Sequence, residues 1–140
     1  MNIRSFALTD TEAVVQLWRD CALVRPWNNP YKDIERKLSV TPELFLVGTD
    51  DGGTLMASIM VGYDGHRGWI NYLAVHPDHQ RQGHASRLMQ EAEALLTARG
   101  CPKLSLQIRA GNEAVIAFYA CLGYTDDHTV ALGKRLIADH

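Results

Sequence analysis

Near the middle of the chain, an alternating pattern typical of a strand changes to a helical pattern across a short loop. The run Trp69–Val75 predicts a strand, and Pro77 ends it. Over Ala85–Leu96, apolar residues recur at the spacing of one helical face. A further strand-like run, Leu104–Ile108, follows this helix. Because a crossover through a helix returns the chain in the same direction, the two strands are predicted to be parallel neighbours.

The segments on either side of this junction predict further helices and an antiparallel meander. Thr9 and Glu12 have the spacing of a capping box, in which each side chain bonds the other residue's backbone amide. Asn29 before Pro30 marks a second helix start, because proline fits the first helical turn. Turns rich in glycine separate three alternating runs. The predicted elements are a strand over 1–6, helices ending near 23 and 38, strands over 44–49, 55–63 and 69–75, the crossover helix and its strand, a helix capped by Asn112, and a last strand over 129–133.

The turn Gln80–Ala85, between the central strand and its helix, is suited to holding an anion. A helix start leaves as many as four backbone N–H groups without intrahelical partners. The aligned peptide dipoles add roughly half a positive charge there, so phosphate groups bind at such ends. Gly83 lets the backbone approach a ligand closely, and Ala85 keeps the next turn small. By itself the pattern is equally compatible with a plain tight turn, and it is neither a Walker loop nor a GxGxxG fingerprint.

Two short motifs follow one another, at this turn and in the last predicted helix. The first is Gln80-Arg81-Gln82-Gly83-His84-Ala85, and the second runs from Asn112 through Tyr119 to Tyr124. Together they resemble the two signatures of the GNAT superfamily of acyl-CoA-dependent N-acetyltransferases, Arg/Gln-x-x-Gly-x-Gly/Ala and Asn-x6-Tyr-x3-Gly-aromatic. Gln80 and His84 depart from the commoner arginine and aliphatic residues at those positions. The segments 25–28 and 62–68 also look like a small bacterial subgroup called YpeA-like.

The resemblance implies a single acyltransferase domain over residues 1–140, with acetyl-CoA as co-substrate. The implied fold is α/β, or α+β: a mixed sheet of six to seven strands, antiparallel in its first half, with a splayed parallel pair at the centre and four flanking helices. The gap between the splayed strands would hold the pantetheine arm, and the turn would hold the pyrophosphate. The residues expected to bind the cofactor are Leu73, Ala74, Val75, Gln80, Arg81, Gln82, Gly83, His84, Ala85, Ser86, Asn112 and Tyr119.

The implied reaction is direct attack of a primary amine on the acetyl thioester. Tyr119 is the candidate catalytic residue, either as the acid for the departing thiolate or as a packing residue that positions the thiol. Proximity of the two reactants supplies much of the rate in such a reaction. A protonated amine must still lose its proton to a side chain or a water before it attacks.

The acceptor side is expected in loops and on the central strand. The residues expected to bind the acceptor are Trp27, Asn28, Asp64, His66 and Asn71. Trp27 is equally compatible with a lid that packs on the core, and Asp64 and His66 with a solvated turn. No carboxylate lies in Trp69–Leu73, so the base stays open between Asp64, His66 and a water beside Asn71.

The composition and net charge of the chain limit the classes of partner and cofactor that we expect. The net charge is −2 with scattered basic residues, which predicts binding neither to nucleic acid nor to membranes. Three distant cysteines predict no disulfide framework, and His76, His79 and His84 lack the spacing of metal ligands, so no metal is expected. Without a signal-peptide pattern, we expect a cytoplasmic monomer or homodimer that acts on a small-molecule, peptide or protein amine. Two rival hypotheses stay open: a non-catalytic acyl-CoA-binding regulatory module, and a structural protein with an inherited fold.

Overall fold

A computed structural model of the chain describes residues 1–139 as five strands, four α-helices and three single-turn 3₁₀ helices. The 3₁₀ turns precede α1, precede β2 and follow β4. The strands are β1 (Asn2–Ser5), β2 (Phe45–Thr49), β3 (Leu55–Tyr63), β4 (Gly68–Val75) and β5 (Leu104–Ser105). The helices are α1 (Thr11–Asp20), α2 (Pro30–Leu38), α3 (His84–Ala98) and α4 (Glu113–Cys121).

The described residues form two compact units. The first comprises Met1–Ser105 together with Asp139, and it contains the sheet and α1 to α3. The second comprises Leu106–Ala138 and contains α4. The single domain over residues 1–140 stays a prediction.

The sheet runs in the order β1-β2-β3-β4-β5. The first four strands pair antiparallel, and the turn residues between β2, β3 and β4 predicted the meander of those three strands. β5 pairs parallel to β4 through Gly68 with Leu104 and Trp69 with Ser105. The meander and the parallel crossover are therefore confirmed.

The expected six to seven strands are not found, because residues 1–139 contain five. The segment 129–133, expected as the last strand, forms no strand, and its Val130 and Leu132 side chains are 85% and 93% exposed. β5 is also shorter than the predicted Leu104–Ile108. An alternating pattern makes a segment compatible with a sheet, but a strand also needs a hydrogen-bonded neighbour, which the pattern cannot specify.

The two predicted helix starts have different outcomes. At α2, the Asn29 side chain accepts hydrogen bonds from the amides of Tyr31 and Lys32, as expected. At α1, the capping box of Thr9 and Glu12 is wrong, because a 3₁₀ turn precedes the helix and α1 begins at Thr11. Asp10 organises this start instead. Its carboxylate accepts the amide of Ala7 and two bonds, of 2.7 and 2.8 Å, from the Arg4 guanidinium on β1.

The core of the first unit lies where α1 and α2 pack on the sheet. Phe6 and Phe45 stack with their ring centroids 4.4 Å apart, and the fully buried Trp18 stacks between Phe45 and Tyr72. Aromatic stacking adds to the free energy of burial at such positions. One aromatic column therefore connects the residue after β1 with β2, α1 and β4.

Candidate active site

β4 contains a β-bulge near its carboxyl end. Ser58 on β3 faces Ala74, but Met60 faces Asn71, so Tyr72 and Leu73 together oppose one residue of β3. Tyr72 has a φ of +51°, in the left-handed region that favours glycine. Bulges of this kind interrupt a ladder and re-aim the residues beside it, often next to active sites. No pattern in the sequence indicated this one.

The side of β4 that faces β5 is open beyond its first two residues. Parallel pairing ends at Trp69 with Ser105, and no strand among residues 1–139 pairs with residues 70–75 on that side. The expected cofactor-binding residues lie in this stretch: Leu73 in the bulge itself, and Ala74 and Val75 directly after it. A limited parallel contact is what a splayed strand pair requires, and it leaves main-chain groups of β4 available to a ligand.

The Gly83 turn, residues 80–86, connects the end of β4 to α3. Arg81 and Gly83 have φ values of +62° and +81°, while Gln82 between them has a negative φ. Alternating signs of φ are characteristic of an anion-binding nest, in which successive N–H groups point into one concavity. α3 begins directly after it, and no side chain caps that end. The nest therefore merges with the N–H groups of a 15-residue helix.

The space in front of this nest is open. A Cβ atom placed on Gly83 would have no neighbouring heavy atom within 4 Å. At the start of α3, the first backbone bond runs from the Arg87 amide to the Gly83 carbonyl, so the amides of residues 83–86 have no intrahelical partner. Backbone donors without partners, beside an open glycine, fit a phosphate or pyrophosphate group.

The side chains of the turn support its backbone. Gln80 folds back, and its amide nitrogen donates to the Val75 carbonyl over 3.0 Å. Gln82 and His84 contact each other through Oε1 and Nε2 at 3.2 Å. Reduced contact with solvent, assisted by nearby positive charges, lowers the pKa of His84 below its ordinary value.

α4 carries the second motif. The Asn112 side chain caps this helix by accepting from the Val115 amide at 3.4 Å, as predicted. Tyr119 is the buried residue of the helix, with 8% of its surface exposed, and its ring lies edge-on to Tyr124. Burial raises the pKa of Tyr119 to about 12. Its hydroxyl therefore stays protonated at every physiological pH.

The residues expected on the acceptor side occupy three places in the first unit. Trp27 and Asn28 lie between α1 and α2, and Asn71 is exposed on β4. Asp64 and His66 lie in the β3–β4 turn. The Asp64 carboxylate accepts hydrogen bonds from the amides of His66 and Arg67 and from the Trp69 indole N–H. These bonds lower the pKa of Asp64, and the bonds from Arg67 and His66 contribute most. Asp64 therefore closes the hairpin and has little capacity left to take a proton.

A polar network that the sequence did not indicate lies around α2. The Tyr72 hydroxyl donates to Asp33 Oδ2 over 2.6 Å, and the Asn28 side chain also bonds this hydroxyl. Arg36 lies 3.3 Å from Asp33 and 2.6 Å from Asp139. Burial, and next the bond to Asp33, raise the pKa of Tyr72 well above its usual range. We call Asn28, Asp33, Arg36, Tyr72 and Asp139 the α2 network.

Comparison with known proteins identifies the family. A sequence model of the acetyltransferase (GNAT) family matches residues 11–124. The chain belongs to this family. This GNAT chain is 52% identical to a Yersinia pestis (strain Pestoides F) protein named acetyltransferase, over 99% of the chain and 98% of that protein. The prediction of an acyltransferase, an N-acetyltransferase, is confirmed, and these relatives do not favour the non-catalytic module.

Solved structures support the same fold. The ribosomal-protein-S18-alanine N-acetyltransferase of Escherichia coli is 27% identical, covers 87% of this chain and 76% of its own, and superposes with a TM-score of 0.72. The NatB acetyltransferase complex bound to CoA and MES has a TM-score of 0.78 at 22% identity, over 89% of this chain and 84% of that one. The second likeness concerns the fold alone. GNAT enzymes use acetyl-CoA as acetyl donor, whereas the YpeA-like subgroup stays a prediction.

The described residues contain neither a candidate membrane span nor a candidate metal cluster. No helix within residues 1–139 is both long and apolar enough to cross a membrane. Across the same residues, no three histidine, cysteine or acidic side chains are grouped as metal ligands would be.

Proposed function

We propose that this GNAT chain moves the acetyl group of acetyl-CoA to a primary amine by direct attack of the amine on the thioester. The Gly83 turn is the observation that carries this proposal. Its nest of amides, the start of α3 and the open position at Gly83 together fit the pyrophosphate of CoA.

The donor half of the site would bind mainly through the backbone. The amides of Arg81–Ser86 hold the pyrophosphate, and Gln80 supports them by fastening the turn to Val75. The open stretch Leu73–Val75 pairs with the amides of the pantetheine arm, and Asn112 contacts the same arm. Gln82, His84 and Ala85 complete the turn. Backbone binding explains why Gln80 and His84 can replace the commoner residues.

The chemistry needs a free amine and a leaving thiolate. Acetyl-CoA supplies an activated acyl group. As the amine nitrogen bonds the acyl carbon, the C–S bond breaks, the nitrogen loses a proton and the sulfur finally gains one. An alkylammonium with a pKa of ~10.4 costs roughly 4 kcal/mol to deprotonate at pH 7.4. The acceptor side must therefore supply a route for this proton.

Tyr119 would assist the leaving group. At a pKa of about 12, its hydroxyl is a reliable hydrogen-bond donor to the developing thiolate. Complete proton transfer to a thiolate whose pKa is near ~8.5 is unfavourable from such a group. Burial thus favours donation of a hydrogen bond, with the final proton supplied from solvent.

The acceptor would bind between the α1–α2 loop and the β3–β4 turn. Trp27 and Asn28 contribute from the first segment, and Asp64, His66 and Asn71 from the second region. Because Asp64 already accepts three hydrogen bonds, His66 or a water beside Asn71 is the better proton acceptor. The cytoplasmic location and the choice between monomer and homodimer remain predictions.

Release of free CoA thiol from acetyl-CoA tests the proposal directly. Three amines would be offered separately: a peptide with a free N-terminal alanine, an N-blocked peptide with one lysine, and spermidine. We expect turnover with at least one of them and the acetylated amine in its mass spectrum. CoA binding by calorimetry without turnover on a wider amine panel would favour the regulatory module. Absence of CoA binding would overturn the cofactor assignment.

A further inference from the structure

Ser58 is a fully buried hydroxyl in the middle of β3. Its neighbours along this strand are apolar, so a buried hydroxyl here requires partners. It has two. The Trp18 indole N–H donates to Ser58 Oγ over 2.9 Å, and Ser58 Oγ donates to the Tyr72 carbonyl over 2.8 Å. The Ser58 hydroxyl therefore connects the Trp18 side chain of α1 to the backbone of Tyr72, the residue at which β4 bulges.

Tyr72 is held at three points. Its carbonyl accepts from Ser58, its ring stacks on Trp18 at a centroid distance of 3.7 Å, and its hydroxyl donates to Asp33. The left-handed φ of Tyr72 is unfavourable for a residue with a Cβ. Such conformations persist only where the surroundings over-determine them, and they concentrate at functional sites. These three contacts stabilise the bulge.

The bulge decides which main-chain groups β4 offers to its open side. In an antiparallel ladder, successive residues point their N–H and C=O groups alternately toward the neighbouring strand and away from it. After the bulge, the His76 amide bonds the Met56 carbonyl, while the Val75 carbonyl turns away from β3 and accepts from Gln80. Loss of the extra residue would shift this alternation by one and turn the Val75 groups toward β3.

We propose that Ser58 is a positioning residue for acetyl-CoA, because its link from Trp18 to the Tyr72 carbonyl keeps the bulge and so presents Leu73 and Val75 to the pantetheine arm. The proposal rests on the proposed function of these two residues. Ser58 touches no reacting atom and acts through the backbone of β4.

Calorimetric binding of CoA to Ser58→Ala and Leu44→Ala tests the proposal. Leu44 is equally buried but takes no part in the link. Both variants would be measured at a low temperature at which circular dichroism shows them folded. We expect Ser58→Ala to weaken CoA binding at least ten-fold, and Leu44→Ala less than two-fold. Ser58→Thr, which keeps the hydroxyl, should bind within three-fold of the wild type. Equal affinities for Ser58→Ala and Leu44→Ala would overturn the proposal.

A second variant covers the case in which Ser58→Ala does not fold. Trp18→Phe keeps an aromatic ring on Tyr72 but removes the donor to Ser58, and we expect CoA binding three- to ten-fold weaker. Hydrogen exchange should show faster exchange of the Ala74 amide, which lies opposite Ser58 in the ladder, in this variant. Unchanged affinity and exchange would refute the link. If the wild type itself binds no CoA, the proposed function fails. If the wild type and Ser58→Ala bind CoA equally well, only the role of Ser58 fails.

Discussion

The Gly83 turn and the α2 network, both in the first unit, differ in the groups that form them: backbone groups in the turn and side chains in the network. The turn consists of backbone groups without partners, and its side chains only fasten it to β4. In the network the side chains carry the order: Arg36 bridges Asp33 and Asp139, and the Tyr72 hydroxyl closes it. A site made of amides tolerates changes of side chain, whereas a network of charged groups does not. The Gly83 turn and the α2 network should therefore respond differently to substitution.

The largest effect is expected at the chemical step. Tyr119→Phe removes a buried hydroxyl and should lower kcat by roughly ten- to ten-thousand-fold, with the KM for acetyl-CoA little changed. Steady-state thiol release with the best amine of the panel measures both constants. Tyr124→Phe removes the neighbouring hydroxyl as a control. An unchanged kcat in Tyr119→Phe would leave Tyr119 as a packing residue.

The next effect tests whether the turn binds through its backbone. Gly83→Ala should weaken CoA binding by about ten- to a hundred-fold, because Ala disfavours a φ of +81° and its methyl group enters the open space. Gly53→Ala is a matched control, since Gly53 has a φ of +83° and equally open surroundings in the β2–β3 turn. Both variants should lose roughly 1 kcal/mol of stability. Similar CoA affinities in the two would contradict a phosphate role for the turn.

A smaller effect is expected in the α2 network. Asp139 accepts from Arg36 and the Asn29 amide, and these bonds hold its pKa at about 2. A depressed carboxyl pKa gives stability that is complete above the unfolded pKa, near ~3.9, and is lost as pH falls toward the folded value. Asp139→Asn should therefore lower Tm at pH 7, and wild type and variant should converge between about pH 4 and pH 2. Thermal melts across that range measure it, with Asp51→Asn in an exposed turn as the charge control. Melting curves that stay parallel would exclude this contribution of Asp139.

The smallest effect is expected at the side chains of the turn. Gln82→Ala removes an exposed side chain but keeps its amide in the nest, so CoA affinity should change by less than about three-fold. Arg36→Gln, by contrast, breaks two contacts in the α2 network and should lower Tm more than Gln82→Ala does. Calorimetry measures the CoA affinity, and thermal melts measure the stability. A large loss of CoA affinity in Gln82→Ala would show that side chains also hold the phosphates.

Features that depend on neighbours in sequence were predictable. The Asn29-Pro30 helix start, the glycine turns of the meander and the strand-turn-helix junction at Gly83 each rest on local backbone preferences. The capping box at Thr9 failed for the complementary reason. Asp10 there pairs with Arg4 on β1, and a contact between elements outweighs a local propensity.

Features that depend on partners distant in sequence were not predictable. The bulge at Tyr72 needs a buried hydroxyl on β3 and a tryptophan on α1, and the pairing of Arg36 with Asp139 joins residues 103 positions apart. The segment 129–133 has the alternation of a strand and forms none in this structure.

By itself, the sequence determined the family motifs, the order of the main elements and a helix start suited to phosphate, because each depends on residues a few positions apart. Only the tertiary structure decided where the sheet ends, where β4 bulges and which charges surround α2. These outcomes depend on hydrogen bonds and ion pairs between elements, whose energies exist only once packing has brought the elements together.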